Sequence, residues 1–274
     1  MTPRAQIFGI LNVTPDSFSD GGRFTDPEAA LQHARVMVSE GADVIDVGGE
    51  STRPGAARVA PEVERERVIP IVTALARDGI AVSVDTMNAD TARAAVRAGA
   101  LVVNDVSGGL ADPGMAAVIA ETGTRYVAMH WRGHSDGMAA LAQYGDVARE
   151  VGDELVQRVA ALTAQGVREE QLILDPGLGF AKDAGHNWQV LARLDEVIAL
   201  GYPVLVGASR KRFLRELPRV EAAAREGSDP RDLPSAVVSA LAARAGAWGV
   251  RVHDVASTAV ALDVTDAWNA GAAS

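Results

Sequence analysis

The chain contains no cysteine, so disulfides, thiol nucleophiles and thiolate-held metals are excluded, and any catalysis must use oxygen and nitrogen groups. Aromatic residues make up 4% of it, too few for a platform on which single-stranded bases stack. Basic residues are in the minority, 26 Lys and Arg against 36 Asp and Glu, and a net charge of −10 argues against a protein built around a nucleic-acid backbone. An anionic ligand would need a local positive focus within that acidic body. No apolar run approaches the roughly 20 residues that cross a bilayer. Met1-Thr2-Pro3-Arg4 leads into an apolar stretch with no signal-peptide pattern, so the cytoplasm is the expected compartment. The five histidines show no HExxH-type spacing, which disfavours a zinc enzyme.

What is present is a rhythm. Short β-branched runs near 5–12, 43–48, 80–85, 101–105, 125–130, 172–175, 203–207 and 249–253 read as strands. Amphipathic stretches near 27–40, 61–78, 89–98, 113–122, 143–166, 186–200, 234–247 and 257–270 read as helices, with Asp26-Pro27 and Asp112-Pro113 as cap and first-turn pairs. Eight of each over 274 residues, 48% of them hydrophobic, is the count of one (β/α)8 barrel domain spanning 1–274. A doubly wound sheet competes, but the glycine fingerprint GxGxxG is missing after the first strand. The charged segment from Arg215 to Asp232 reads as a solvated excursion without function.

A barrel of this kind builds its active site at the C-terminal ends of its strands. Here those ends are polar throughout: Asn12, Asp46, Asp85, Asn104-Asp105, Met129-His130, Asp175, Ser209-Arg210-Lys211 and Arg251-Val252-His253-Asp254. One such residue is an ordinary helix cap, and Asp46, Asp105 and Asp254 are open to that reading. Asp85, Asn104, Asp175 and Lys211 together point to a shared ligand. Their chemistry suits a heterocycle with a guanidine-like donor edge for the carboxylates and a carbonyl or ring nitrogen for Lys211, expected as the only cation on that floor. Arg251 and His253 are two apart and share a strand face, and with Asn12 on the adjoining first strand they form an anion site of the diphosphate kind. Asn12 with phosphate oxygens could share a Mg2+. Ser51 and Ser209 have no base at a telling position, so neither is expected to be a nucleophile.

Long motifs then carry a family resemblance. Gly9-Ile10-Leu11-Asn12-Val13-Thr14-Pro15-Asp16-Ser17-Phe18-Ser19-Asp20, Asp46-Val47-Gly48-Gly49-Glu50-Ser51-Thr52-Arg53-Pro54-Gly55, Val103-Asn104-Asp105 and Leu174-Asp175-Pro176-Gly177-Leu178-Gly179-Phe180-Ala181-Lys182 resemble dihydropteroate synthases, as do Gly207-Ala208-Ser209-Arg210-Lys211 and Arg251-Val252-His253-Asp254. The resemblance implies a usually dimeric barrel that joins 6-hydroxymethyl-7,8-dihydropterin diphosphate to 4-aminobenzoate, releasing diphosphate by an SN1-like route. It implies pterin contacts from Asp85, Asn104, Asp175, Lys211 and Phe180, and diphosphate contacts from Asn12, Arg251 and His253, with Mg2+ at Asn12. Asp20 is the implied loop carboxylate nearest the pterin cation, and Phe18, Thr52, Arg53 and Pro54 belong to mobile loops that close over the aminobenzoate. Catalysis would fall to Asp20, Lys211, Arg251 and His253. Arg212 stands where many relatives carry a serine, so the aminobenzoate carboxylate is expected to meet backbone N–H groups or Arg212 itself. Two other readings compete: a corrinoid-type pterin methyltransferase domain, which has no use for a diphosphate site, and a catalytically silent pterin binder, which has no use for intact loops.

Overall fold

Each β-branched run forms a strand, and all pair in parallel in one sheet: β1 (Gln6–Asn12), β2 (Val44–Gly48), β3 (Val82–Asp85), β4 (Val102–Asp105), β5 (Arg125–Met129), β6 (Leu172–Asp175), β7 (Leu205–Val206) and β8 (Gly249–Val252). A computed structural model describes residues 4–14, 27–50, 59–133, 138–223 and 228–272. Strands follow one another in chain order, β8 lies beside β1, and a bridge between Leu174 and Val204 joins β6 to β7. The ring is therefore the expected eight-stranded parallel barrel.

Ten α-helices among the described residues surround it: α1 (Pro27–Ser39), α2 (Pro61–Arg77), α3 (Ala89–Ala98), α4 (Met115–Thr122), α5 (Val147–Thr163), α6 (Ala184–Ala192), α7 (Leu194–Ile198), α8 (Arg212–Arg215), α9 (Asp232–Ala245) and α10 (Val255–Ala272). Where the helices differ from expectation, side-chain hydrogen bonds explain it. Asp112 does not cap a helix at Pro113: its carboxylate accepts from Gly114 N–H and Ala89 N–H, both at 2.8 Å, and α4 starts at Met115. Asp146 accepts from Arg149 N–H, which delays α5 to Val147. The stretch expected as one helix over 186–200 starts earlier, where Asp183 and His186 form a capping box, and breaks at Arg193, whose φ of −122° and ψ of 33° are not helical.

Because side chains alternate along a strand, the barrel has two apolar layers. Ile7, Leu11, Ile45, Val47, Val84, Val103, Ala128, Leu174 and Val250 face outward and merge with the helices into the main core. The other face gives a separate cluster of Phe8, Val44, Val102, Val127, Ile173 and Leu205, closed by Ala81 and Trp248. That cluster fills the barrel and makes its floor.

Candidate active site

Two residues beyond the floor, on the same strand faces, chemistry replaces packing: Val44 gives way to Asp46, Val102 to Asn104, Ile173 to Asp175 and Leu205 to Gly207. Asp46 is fully buried, and its Oδ2 accepts from Asn104 Nδ2 at 3.0 Å and from Arg251 Nε at 2.5 Å. Arg251 Nη2 reaches Asp85 Oδ2 at 2.6 Å. One network thus joins β2, β3, β4 and β8. Burial pushes the Asp85 carboxyl up to about 7, with Arg251 as the main opposing charge. Burial acts against the charge on Arg251, but Asp46 and Asp85 outweigh it and hold the guanidinium above its usual value. Asp46 Oδ1 is buried with no hydrogen-bond partner, a spare acceptor in the layer.

Across the mouth, Asp175 Oδ1 accepts from Gly177 N–H at 2.7 Å. Burial raises its pKa, and Lys211 is the largest force the other way. Lys211 Nζ donates to Leu178 O and lies 4.9 Å from the centre of the Phe180 ring. Burial pushes this ammonium down to about 8, with Asp175 opposing. Two glycines keep the space between these groups open. A methyl group at Gly207 would stand 3.8 Å from Asp175 Oδ2 and 3.9 Å from Lys211 Nζ; one at Gly48 would stand 3.7 Å from both Asp85 Oδ2 and Asn12 Oδ1.

The structure therefore gathers Asp85, Asn104, Asp175 and Lys211 with Asn12 at one mouth, as the strand ends implied. It corrects the expectation of a single cation there. Arg251 also belongs to the layer, tied to two carboxylates rather than standing apart as an anion site. His253 is turned by Ser209: its backbone N–H donates to Ser209 Oγ at 3.1 Å and its Nδ1 lies 3.0 Å from the same oxygen. The hydroxyl meets both the backbone and the ring of His253 and fixes where the imidazole stands. Ser209 thus has an imidazole beside it, contrary to expectation, and serves as the group that orients it. Asp105 accepts from Ser107 N–H, Ser107 Oγ, Gly109 N–H and Tyr126 OH at 2.6–2.9 Å, a saturated turn anchor, and Asp254 accepts from Ser257 N–H at the start of α10.

Lys211 has a support that sequence reading missed. Arg210, with φ of 55°, chelates Asp232 at 2.6 and 3.0 Å, and Asp232 is 7% exposed, so the segment expected to be a solvated excursion ends in a buried clamp on the lysine loop. Arg212 is exposed at the first residue of α8. Phe18, Asp20, Thr52, Arg53 and Pro54 lie outside the described residues. Among those described, no group of three His, Asp or Glu side chains could hold a metal ion, and no helix is long and apolar enough to cross a membrane.

Along most of its length the chain is similar to known pterin enzymes. The pterin binding enzyme family matches residues 8–253. The dihydropteroate synthase of Mycobacterium leprae is 54% identical over 264 residues, 96% of this chain and 93% of that protein. A dihydropteroate synthase of Xanthomonas albilineans solved with 4-aminobenzoic acid superposes with a TM-score of 0.87 at 43% identity, covering 97% and 94% of the two chains. That of Anaplasma phagocytophilum, solved with bound 6-hydroxymethylpterin-monophosphate, gives 0.86 at 36% identity over 97% of this chain and all of the other.

Proposed function

The chain belongs to the dihydropteroate synthase family of pterin binding enzymes, and we propose that the charged layer above its barrel floor is where that family's reaction takes place. The chain transfers the dihydropterin-methyl group of 6-hydroxymethyl-7,8-dihydropterin diphosphate to the amine of 4-aminobenzoate and releases diphosphate. One observation carries the assignment of residues: buried carboxylates and the half-buried ammonium of Lys211 face each other across a space kept open by Gly48 and Gly207.

Asp85 and Asp175 accept from the donor edge of the pterin, Asn104 fixes its register, and Lys211 donates to the opposite side of the ring. Phe180 lies against Lys211 and bounds the ring. Arg251 donates to Asp85. The pterin edge competes for the same oxygen, and the guanidinium it displaces is then free to meet the diphosphate beside His253 and Asn12. The charge that develops on the leaving diphosphate is met by Arg251 and by the imidazole of His253, placed before the bond breaks. The cation left on the pterin methylene lies over carboxylates of the layer, and the aniline nitrogen attacks it. Asp20 is the loop carboxylate we assign nearest that cation. Phe18, Thr52, Arg53, Pro54 and Arg212 complete the aminobenzoate side.

Magnesium fits this donor set as an ion that arrives with the diphosphate. Asn12 Oδ1 is a hard oxygen at the mouth, and with no cluster of metal-binding side chains among the described residues, water and phosphate oxygens would fill the remaining positions. When bound, the ion neutralises leaving-group charge.

A homodimer fits the surface. Leu233, Val237 and Leu241 on α9 and Val260, Val264 and Trp268 on α10 are at least half exposed and repeat every four residues on two helices packed together.

The test is diphosphate release from dihydropterin diphosphate, Mg2+ and 4-aminobenzoate. Release that depends on aminobenzoate, with a fall of about 10- to 100-fold in kcat/KM for Lys211→Ala and Asp175→Asn, is expected, because each removes a charge-assisted bond of about 1.5–3 kcal/mol. Full activity in either variant would contradict the assignment.

A further inference from the structure

Behind the pterin-facing layer sits a second buried lysine that the reaction leaves unused. Lys182 is 9% exposed, and its Nζ lies 2.9 Å from His130 Nδ1 while donating to the carbonyls of Gly177 at 3.1 Å and Phe180 at 3.2 Å. His130 is buried at the end of β5, and its Nε2 lies 2.9 Å from Glu154 Oε2, a carboxylate also bound by Arg132. Three acceptors around Nζ match the three protons of an ammonium. That match requires an unprotonated Nδ1 and a ring hydrogen on Nε2, given to Glu154. Burial pushes His130 down to about 4, which keeps the imidazole neutral as this arrangement needs. Burial also pushes Lys182 down to about 7, with Asp175 the largest charge acting to raise it.

The turn that Lys182 grips is one that needs gripping. Gly177, Gly179 and Ala181 have φ of 68°, 77° and 45°, and Ala181 bears a side chain in a region that costs an L-residue roughly 1–2 kcal/mol. Packing leaves the turn little room, since a methyl group at Gly177 would stand 2.2 Å from His130 O and one at Gly179 2.9 Å from Lys211 Cδ. Each peptide held here also touches the pterin layer. Gly177 N–H bonds Asp175, Leu178 O receives Lys211 Nζ, and Phe180 presents its ring to Lys211.

We propose that Lys182 is a positioning residue for the pterin site: braced on His130, its ammonium ties the carbonyls of Gly177 and Phe180 and so sets where Lys211 and the Phe180 ring stand. The proposal rests on the assignment of Asp175 and Lys211 to the pterin. It differs from a purely structural role in what Lys182→Met should do. Replacing Lys182 alone leaves His130 Nδ1 and the carbonyls of Gly177 and Phe180 without their donor, so the melting temperature should fall. A purely structural lysine would stop there; a positioning one also lowers the affinity of the folded variant for the pterin.

The experiment is calorimetric titration of wild type and Lys182→Met with 6-hydroxymethylpterin monophosphate, alongside thermal melts. About tenfold weaker binding, measured at a temperature well below the melt of either protein so that both are folded, is expected; a loss smaller than fivefold overturns the role of Lys182. Should Lys182→Met not fold, His130→Leu decides, because it removes one of the three acceptors: a loss of threefold or more supports the brace and a smaller one overturns it. Wild type that fails to bind the probe at all would instead contradict the pterin assignment, which keeps the two failures apart.

Discussion

The floor of the barrel and the layer directly above it are built from the same strands, two residues apart, and they obey opposite rules. Phe8, Val44, Val102, Val127, Ile173 and Leu205 are at most 7% exposed and pack as one apolar cluster with Ala81 and Trp248, whose ring centre lies 5.5 Å from that of Phe8. One step of the strand period higher, Asp46, Asn104 and Asp175 are just as buried but carry charge or an amide. The floor lowers the free energy of the fold by removing apolar surface from water. Within the upper layer, burial works against ionisation of Asp85, Asp175 and Lys211. Stability thus comes from the lower layer, and the upper one is kept uncomfortable by design of position, ready for a ligand that supplies the missing partners.

The largest expected effect that would sharpen this contrast is on the floor. Phe8→Ala should lower stability by about 3–5 kcal/mol, read by denaturant unfolding, while kcat/KM of the folded fraction stays within threefold. A variant of unchanged stability that no longer binds pterin would break the division of labour. A smaller effect separates the layers by pH. Lys211 has a folded pKa of about 8 against a reference value of 10.5. Between those values the folded state holds fewer protons than the unfolded one, so its contribution to stability rises with pH, while the ammonium that the pterin needs disappears. Asp85 runs the other way: with its pKa raised from 3.8 to about 7, it holds an extra proton in the folded state across that window, and its contribution to stability falls as pH rises towards 7. Activity should therefore fall below about pH 7 and above about pH 8, each time in the direction that relieves the buried charge. Rate profiles and melts of wild type beside Lys211→Met check it; a variant whose stability still rises between pH 8 and 10 as in wild type would remove Lys211 from the account.

Sequence periodicity made the barrel legible because strand and helix patterns are local, and the strand-end rule then gave Asp85, Asn104, Asp175 and Lys211. Local hydrogen bonds moved the boundaries: Asp112 spends its carboxylate on Ala89 and Gly114, so α4 starts two residues late. What stayed hidden were pairings between distant positions. Arg251 and Asp46 are 205 residues apart, and Lys182 and His130 are 52 apart. Nothing in the order of residues says that the arginine of an Arg-x-His pair will turn to the carboxylates, or that a lysine after an ordinary-looking glycine turn will be buried. A cation cannot be assigned its partner before the ring is closed.

The most direct test of the central claim is the affinity of Asp85→Asn and Asp175→Asn for 6-hydroxymethylpterin monophosphate, measured by calorimetry with a melt of each protein. The account predicts at least tenfold weaker binding in both, with melting temperatures equal to or above wild type, because each change removes a carboxylate that burial disfavours. Unchanged affinity with a lowered melting temperature would contradict it and turn the upper layer into structure rather than site.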